Sequence, residues 1–186
     1  MRCLLDMDGV LADFVGGMVK AHGLAANPYD DPQWSGEYDV SRSFGMSLRK
    51  FWKPACKDFW KKLDKTPECL QIIELVEFLF GAENVCLLTS PSLETGSASG
   101  KFAWIYNNLP EYQRRFLIGA PKHFCAHGGS VLIDDSDRVV DKFREAGGYA
   151  VLYPRPWNSR HAEAGVGLES VASELRALYS APVLAS

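Results

Sequence analysis

Two closely spaced pairs of carboxylates stand out in this 186-residue chain. Asp6 and Asp8 directly follow one short apolar run, and Asp134 and Asp135 directly follow another. If the two runs are neighbouring strands, up to four carboxylates converge, and like charges that close raise each other's pKa unless a cation neutralises them. Because carboxylate oxygens are preferred ligands of Mg²⁺, the pattern predicts a magnesium site built from these four residues.

Hydroxyl groups and an ammonium group follow two further apolar runs, at Thr89, Ser90 and Lys122. Together with Mg²⁺, these groups favour a ligand with hard anionic oxygens, such as a phosphoryl group. One carboxylate of such a site can attack phosphorus and form an aspartyl-phosphate. A second can protonate the leaving alkoxide and later deprotonate water. The spacing of Asp6 and Asp8 suits these two tasks.

Short apolar runs that alternate with helical spacing predict the elements that would position these groups. We predict strands at 2–5, 85–88, 116–118, 131–133 and 149–152. Helical spacing covers 11–19, 67–80, 101–109, about ten residues after Asp135, and 168–178. This order is typical of an α/β fold with a mostly parallel sheet, in which ligands bind beyond the carboxyl ends of the strands. The four polar segments would therefore meet at one edge.

Composition and charge limit the class of protein. Hydrophobic residues make up 47% and the formal net charge is -3, which argues against a bulk electrostatic binder of nucleic acid. The five cysteines form no C-x-x-C pair, which argues against a disulfide framework or a thiolate zinc site and suits a reducing cytoplasm. No stretch of about 18 apolar residues occurs. We expect a cytoplasmic protein with no membrane or stable nucleic-acid partner, and a homodimer stays open.

The polar segments also resemble the four motifs of the haloacid dehalogenase superfamily of phosphohydrolases. Four segments occur in the order of motifs I to IV: LLDMDGVLADF at 4–14, LLTSP at 87–91, Lys122, and IDD at 133–135. Within this superfamily, the sequence is similar in particular to the 5'(3')-deoxyribonucleotidase family. The similarity lies in the segments DMDGVLADF, LLTSP, PKH and LIDD, and in Pro-Trp-Asn at 156–158. The resemblance implies a Rossmann-like core domain formed by 1–13 and 67–186, with helices on both faces of the sheet. It also implies a small, mainly helical cap at 14–66.

The resemblance further implies roles for the carboxylates. Asp6 would be the nucleophile and a Mg²⁺ ligand, and Asp8 the general acid and base with its backbone carbonyl on the metal. Asp135 would be the remaining metal ligand, supported by Asp134.

The same resemblance assigns Thr89 and Lys122 to the phosphoryl oxygens. Ser90 could share that role or cap the next helix. Lys101 is the alternative lysine of motif III, or a second phosphate contact. Most aromatic residues of 14–66 would form the core of the cap. Phe14 is the best candidate to stack on a nucleobase.

The predicted function is a Mg²⁺-dependent phosphomonoesterase for a small phosphate ester, by resemblance a deoxyribonucleoside monophosphate such as dUMP or dTMP. One alternative is a phosphatase of the same superfamily for another small ester or for a 3'-phosphate end of a nucleic acid. A phosphoryl-accepting signalling domain would also combine acidic residues, a threonine and a lysine, but would place its acidic pair first. A scaffold without activity is disfavoured by the intact Asp6, Asp8, Lys122 and Asp135.

Overall fold

The computed structural model describes the backbone of residues 1–180 and the side chains of residues 1–178. Its sheet has five parallel strands in the order β3-β2-β1-β4-β5. The strands are β1 (Arg2–Leu5), β2 (Val85–Thr89), β3 (Phe116–Ile118), β4 (Ser130–Asp134) and β5 (Tyr149–Leu152). All five predicted strands are confirmed. The last residues of the predicted core domain, 181–186, lie outside the described part of the chain.

Eight α-helices are found among the described residues: α1 (Phe14–Ala21), α2 (Val40–Ser43), α3 (Leu48–Phe51), α4 (Lys57–Lys61), α5 (Cys69–Phe80), α6 (Ser97–Asn108), α7 (Asp137–Glu145) and α8 (Gly167–Ser180). None of the helices in this described part has the length and apolar character needed to cross a membrane. The predicted ends of α5 and α7 are confirmed, since Gly81 and Gly147 follow them with φ of 82° and 88°.

Strands β1, β2, β4 and β5 are largely buried because helices cover both faces of the sheet, whereas Leu117 of the edge strand β3 is exposed. Successive side chains of a strand point to opposite faces, so Cys3 and Leu5 join one apolar cluster while Leu4 joins the other. The larger cluster includes residues of α5, α6 and α8. The smaller cluster includes Val140 and Phe143 of α7. Burial on both faces explains why the inner strands are rich in consecutive apolar residues.

The segment between β1 and α5 contains α1 to α4 and two 3-10 turns, Pro28–Asp30 and Pro32–Trp34. Its two ends are joined, since Asp13 N donates to Asp64 O at 2.9 Å. Thr66 Oγ1 also donates to Val10 O at 2.7 Å. These bonds close the segment at the predicted borders of the cap, and the division into two domains stays a prediction.

The predicted start of α6 is wrong. The sequence pattern predicts a helix that begins at Lys101, but the helix begins at Ser97. Packing explains the difference, because Gly100 lies so close to α4 that a Cβ would stand 2.5 Å from Lys57 O. Close approach of two helices at a glycine outweighs the low helix propensity of serine and glycine.

Candidate active site

The predicted catalytic residues lie at the carboxyl edge of the sheet, because β1 pairs with both β2 and β4. Asp6 directly follows β1, and its backbone N–H donates to Ile133 O in β4 at 2.9 Å. Thr89 and Asp134 are the last residues of β2 and β4. The sheet thus brings together residues that are up to about 130 positions apart in sequence.

Lys122 lies between two of the carboxylates. Its Nζ is 2.6 Å from Asp6 Oδ1 and 2.6 Å from Asp134 Oδ2. All three side chains are nearly inaccessible to solvent. Burial alone would lower the pKa of Lys122, but the carboxylates of Asp6 and Asp134 raise it above its usual value. The lysine therefore stays charged and fixes the orientation of both acids.

Lys101 contacts the other members of the predicted site. Its Nζ forms an ion pair with Asp8 Oδ2 and donates to Thr89 Oγ1 at 3.0 Å. The aromatic ring of Trp60 in α4 lies 4.2 Å from the same Nζ, which favours a cation there. Two lysines thus serve the edge: Lys122 on the β4 side and Lys101 on the β2 side.

The turn after β1 brings its backbone close to the end of β4. Gly9 adopts φ of 73°, and a Cβ at this position would lie 2.0 Å from Asp135 Oδ2. Only glycine combines this backbone conformation with such a close approach. The turn carries Asp8, whose buried Oδ1 has no hydrogen-bond partner within the part of the chain that the structure describes.

Buried negative charge dominates the electrostatics. Burial raises the pKa of Asp135 well above its usual range, and the neighbouring Asp134 and Asp6 raise it further. Burial also raises the pKa of Asp134 to about 6, even though Lys122 opposes the shift. The pKa of Asp8 is raised too, by burial, against the effect of Lys101. Each shift reflects a cost of keeping carboxylates ionised in this site.

Three of these acids form a group that fits a metal ion. One oxygen from each of Asp6, Asp134 and Asp135 lies within 4.8 Å of the others. With Asp8, four carboxylates face two lysines, which leaves two uncompensated negative charges when all are ionised. A hard divalent cation with oxygen ligands suits this donor set and charge. The Asp8 side chain lies outside the group of three and pairs with Lys101 instead.

The remaining predicted residues lie around this centre. Ser90 Oγ donates to Gly119 O at 3.3 Å, so its hydroxyl is engaged with the loop after β3. Phe14 is half-buried and stacks on Trp60 with ring centroids 5.4 Å apart. The ring of Trp60 therefore contacts both Phe14 and Lys101.

The family model described as "5' nucleotidase, deoxy (Pyrimidine), cytosolic type C protein" matches residues 1–174. The chain belongs to this family. A similar protein is the human cytosolic-type 5'(3')-deoxyribonucleotidase, which is 27% identical over 154 residues, with 75% of this chain and 72% of the human protein covered. Membership makes the protein a hydrolase of phosphoric monoesters and sets aside the signalling domain and the inactive scaffold.

Solved structures support the fold of this nucleotidase-family protein. A haloacid dehalogenase-like hydrolase from Streptococcus pneumoniae matches with a TM-score of 0.53 and 14% identity, covering 93% of this chain and 97% of that one. L-2-haloacid dehalogenase from Xanthobacter autotrophicus matches with a TM-score of 0.50 and 12% identity, covering 95% and 87%. The predicted haloacid dehalogenase fold is confirmed. These matches concern the fold alone, because one fold can host different reactions.

Sequence reasoning missed several residues that surround the site of this family member. Tyr38, from the cap segment, is 47% exposed, but desolvation of its hydroxyl and the carboxylate of Asp135 raise its pKa, so the hydroxyl lies near that acid. Arg155, Trp157 and Asn158 follow β5 and bond to the site from the other side. The Pro-Trp-Asn tripeptide was the signal for this loop, although its contacts depend on tertiary structure.

Proposed function

We propose that the protein is a Mg²⁺-dependent nucleotidase that hydrolyses deoxyribonucleoside monophosphates, with dUMP and dTMP as leading substrates. The observation that carries this proposal is the convergence of Asp6 and Asp8 with two buried lysines at the edge of the sheet. Membership of the nucleotidase family supports the substrate class. The human relative, whose name specifies deoxyribonucleotides, supports the sugar.

In the first step, a carboxylate oxygen of Asp6 attacks phosphorus while the ester P–O bond breaks. The ion pair with Lys122 directs the carboxylate of Asp6. Asp8 donates a proton to the departing alkoxide, and its raised pKa favours the protonated form that this task requires. The product of this step is an alcohol and an aspartyl-phosphate on Asp6.

In the second step, Asp8, now a carboxylate, takes a proton from water. The resulting nucleophile attacks phosphorus, the acyl-phosphate bond breaks, and Asp6 is regenerated together with inorganic phosphate. Lys101 bonds to both Asp8 and Thr89, so it can orient Asp8 in one state and bind phosphoryl oxygens in another. Thr89 offers its hydroxyl to the same oxygens.

Asp6, Asp134 and Asp135 would hold the Mg²⁺ ion, as their grouping allows. The bound ion would supply charge that stabilises the phosphoryl oxygens in the transition state. The cap segment would contact the organic half of the ester. Phe14, Trp52 and Trp60 form a contiguous aromatic group there, and Trp60 directly borders Lys101.

A panel of phosphate esters assayed for phosphate release with Mg²⁺ tests the proposal. It contains pyrimidine and purine deoxyribonucleotides and ribonucleotides with 5' or 3' phosphates, p-nitrophenyl phosphate, and an oligonucleotide with a 3'-phosphate. The expected result is the highest kcat/KM for dUMP or dTMP. A higher kcat/KM for a phosphate ester without a base, or for the oligonucleotide, would contradict the nucleotide assignment while leaving the phosphatase chemistry in place.

A further inference from the structure

The loop after β5 contacts the candidate site at three points. Arg155 Nε donates to Gly9 O in the turn after β1 at 2.6 Å. Trp157 Nε1 donates to Asp135 Oδ2 at 2.7 Å, and Asn158 Nδ2 donates to the backbone oxygen of Asp135 at 2.9 Å. The loop thus joins the turn that carries the acid-base residue to the end of the strand that carries the metal-binding acids.

The loop is buried and internally bonded. Asn158 is inaccessible to solvent, and its Nδ2 donates to Tyr153 O at 2.8 Å as well as to Asp135. Its Oδ1 accepts from the backbone N–H groups of Arg155 and Arg160. A surface loop normally bonds to water. This loop instead bonds to itself and to the site, so it is built to hold a fixed position.

The indole of Trp157 is held from two sides. The backbone at Gly9 lies so close that a Cβ there would stand 3.2 Å from Trp157 Cζ2. On another side the ring of Tyr29 meets it edge-to-face, with centroids 5.5 Å apart. The N–H group is therefore aimed at Asp135 Oδ2 by packing. Among the described residues no other hydrogen bond to the Asp135 carboxylate occurs, which leaves Oδ1 for a cation.

We propose that Trp157 is a positioning residue that orients Asp135 as a ligand of the divalent cation. A tryptophan that only fills the core needs no N–H bond to a carboxylate. A donor that fixes one carboxylate oxygen turns the other toward the cation and lowers the cost of ordering the ligand on binding. Partners of metal ligands typically change metal affinity by about 10- to 100-fold when removed. The inference rests on the cation site of the proposed function, but on no particular ester.

The test compares two matched variants. Trp157→Phe keeps an aromatic ring and removes the N–H group. Trp104→Phe makes the same change at another buried tryptophan, whose Nε1 donates to Leu63 O at 2.8 Å. Mg²⁺ affinity is measured without substrate by calorimetry, and Mn²⁺ affinity by electron paramagnetic resonance. For each variant, kcat is also measured as a function of Mg²⁺ concentration.

We expect Trp157→Phe to weaken cation binding by about 10- to 100-fold, with most of kcat recovered at saturating Mg²⁺. Trp104→Phe should bind the cation as the unmodified protein does, even if it lowers the melting temperature. In the unmodified protein, the indole N–H resonance of Trp157 should shift when Mg²⁺ is added, which tests the contact if the variant does not fold.

Unchanged affinity in Trp157→Phe, or equal weakening in both variants, would overturn the proposal. The proposal would also be overturned if the unmodified protein bound no divalent cation, or if the indole N–H resonance of Trp157 did not shift when Mg²⁺ is added. A protein that binds the cation as expected but releases no phosphate from nucleotides would instead contradict the proposed function.

Discussion

The carboxyl edge of the sheet and the cap segment at 14–66 differ in how their side chains are held. At the edge, parallel strands and two buried lysines hold charged groups at fixed hydrogen-bond distances. In the cap segment, four short helices are held mainly by packed rings, such as Phe14 against Trp60 and Phe59. The difference predicts that defects at the edge impair turnover of every ester. Defects in the cap should impair only those esters whose organic half the cap contacts.

Chelation of divalent cations should have the largest effect, because it removes the charge that compensates Asp6, Asp134 and Asp135. Turnover of nucleotides and of p-nitrophenyl phosphate should both stop in excess chelator and return with Mg²⁺. Ca²⁺ should inhibit, because its longer bonds of about 2.3–2.6 Å change the geometry of attack. Steady-state phosphate release measures this, and full activity in chelator would refute the metal assignment.

Asp6→Asn should lower kcat by several orders of magnitude for all esters, since the amide keeps the shape but loses the nucleophile. The fold should persist, because Lys122 retains Asp134 as a partner. Single-turnover assays measure the effect, and circular dichroism checks the fold. Substantial turnover in a clean preparation would show that another group attacks phosphorus.

Gly9→Ala should reduce kcat by about 100-fold on all esters, the scale expected when a reacting group is misplaced by about 1 Å. The new Cβ would meet Asp135 Oδ2 at 2.0 Å and force Asp135 or the turn to move. It should also destabilise the fold by about 1–3 kcal/mol, because a non-glycine residue is strained at this φ.

Gly23→Ala is the control for this change. Gly23 has φ of 63°, but a Cβ there meets no atom within 4 Å. It should therefore share the cost in stability, measured by denaturant unfolding, and keep a normal kcat. Equal loss of kcat in both variants would mean that backbone strain alone explains the defect.

Phe14→Ala should have the smallest and most selective effect. Loss of a stacked ring should cost about 1–3 kcal/mol in kcat/KM for nucleotides and little for p-nitrophenyl phosphate. Phe59→Ala is the matched control, because Phe59 is a half-buried ring of the same aromatic group and contacts both Phe14 and Trp60. Equal losses for both esters in Phe14→Ala would mean that Phe14 only packs.

The two regions also differ in how far their structure could be predicted from sequence. The edge could be predicted because each strand is a short apolar run and its polar group follows immediately. The local pattern therefore places Asp6, Thr89 and Asp134 together. Parallel pairing then requires only that β1 lie between β2 and β4, as it does. The sequence could not tell which lysine meets which acid, because Lys101 and Lys122 reach the edge from different elements.

The cap segment and the loop after β5 resisted prediction for a different reason. Their contacts join residues far apart in the chain, such as Arg155 with Gly9. The periodicity of apolar residues in the sequence does not predict such contacts. The early start of α6 is a similar case, since the close approach of Gly100 to Lys57 decides it. That the edge serves turnover of every ester, while the cap contacts only the organic half, therefore remains a prediction that kinetics must test.

The most direct test of the central claim is a burst experiment with Asp8→Asn and p-nitrophenyl phosphate. The nitrophenolate group leaves without a proton from Asp8, so the first step should proceed, while asparagine cannot deprotonate water for the second step. We predict a burst of one nitrophenolate per chain, followed by slow turnover, and a phosphoryl group found by mass spectrometry on the peptide that contains Asp6. No burst, or a phosphoryl group on another residue, would contradict the account.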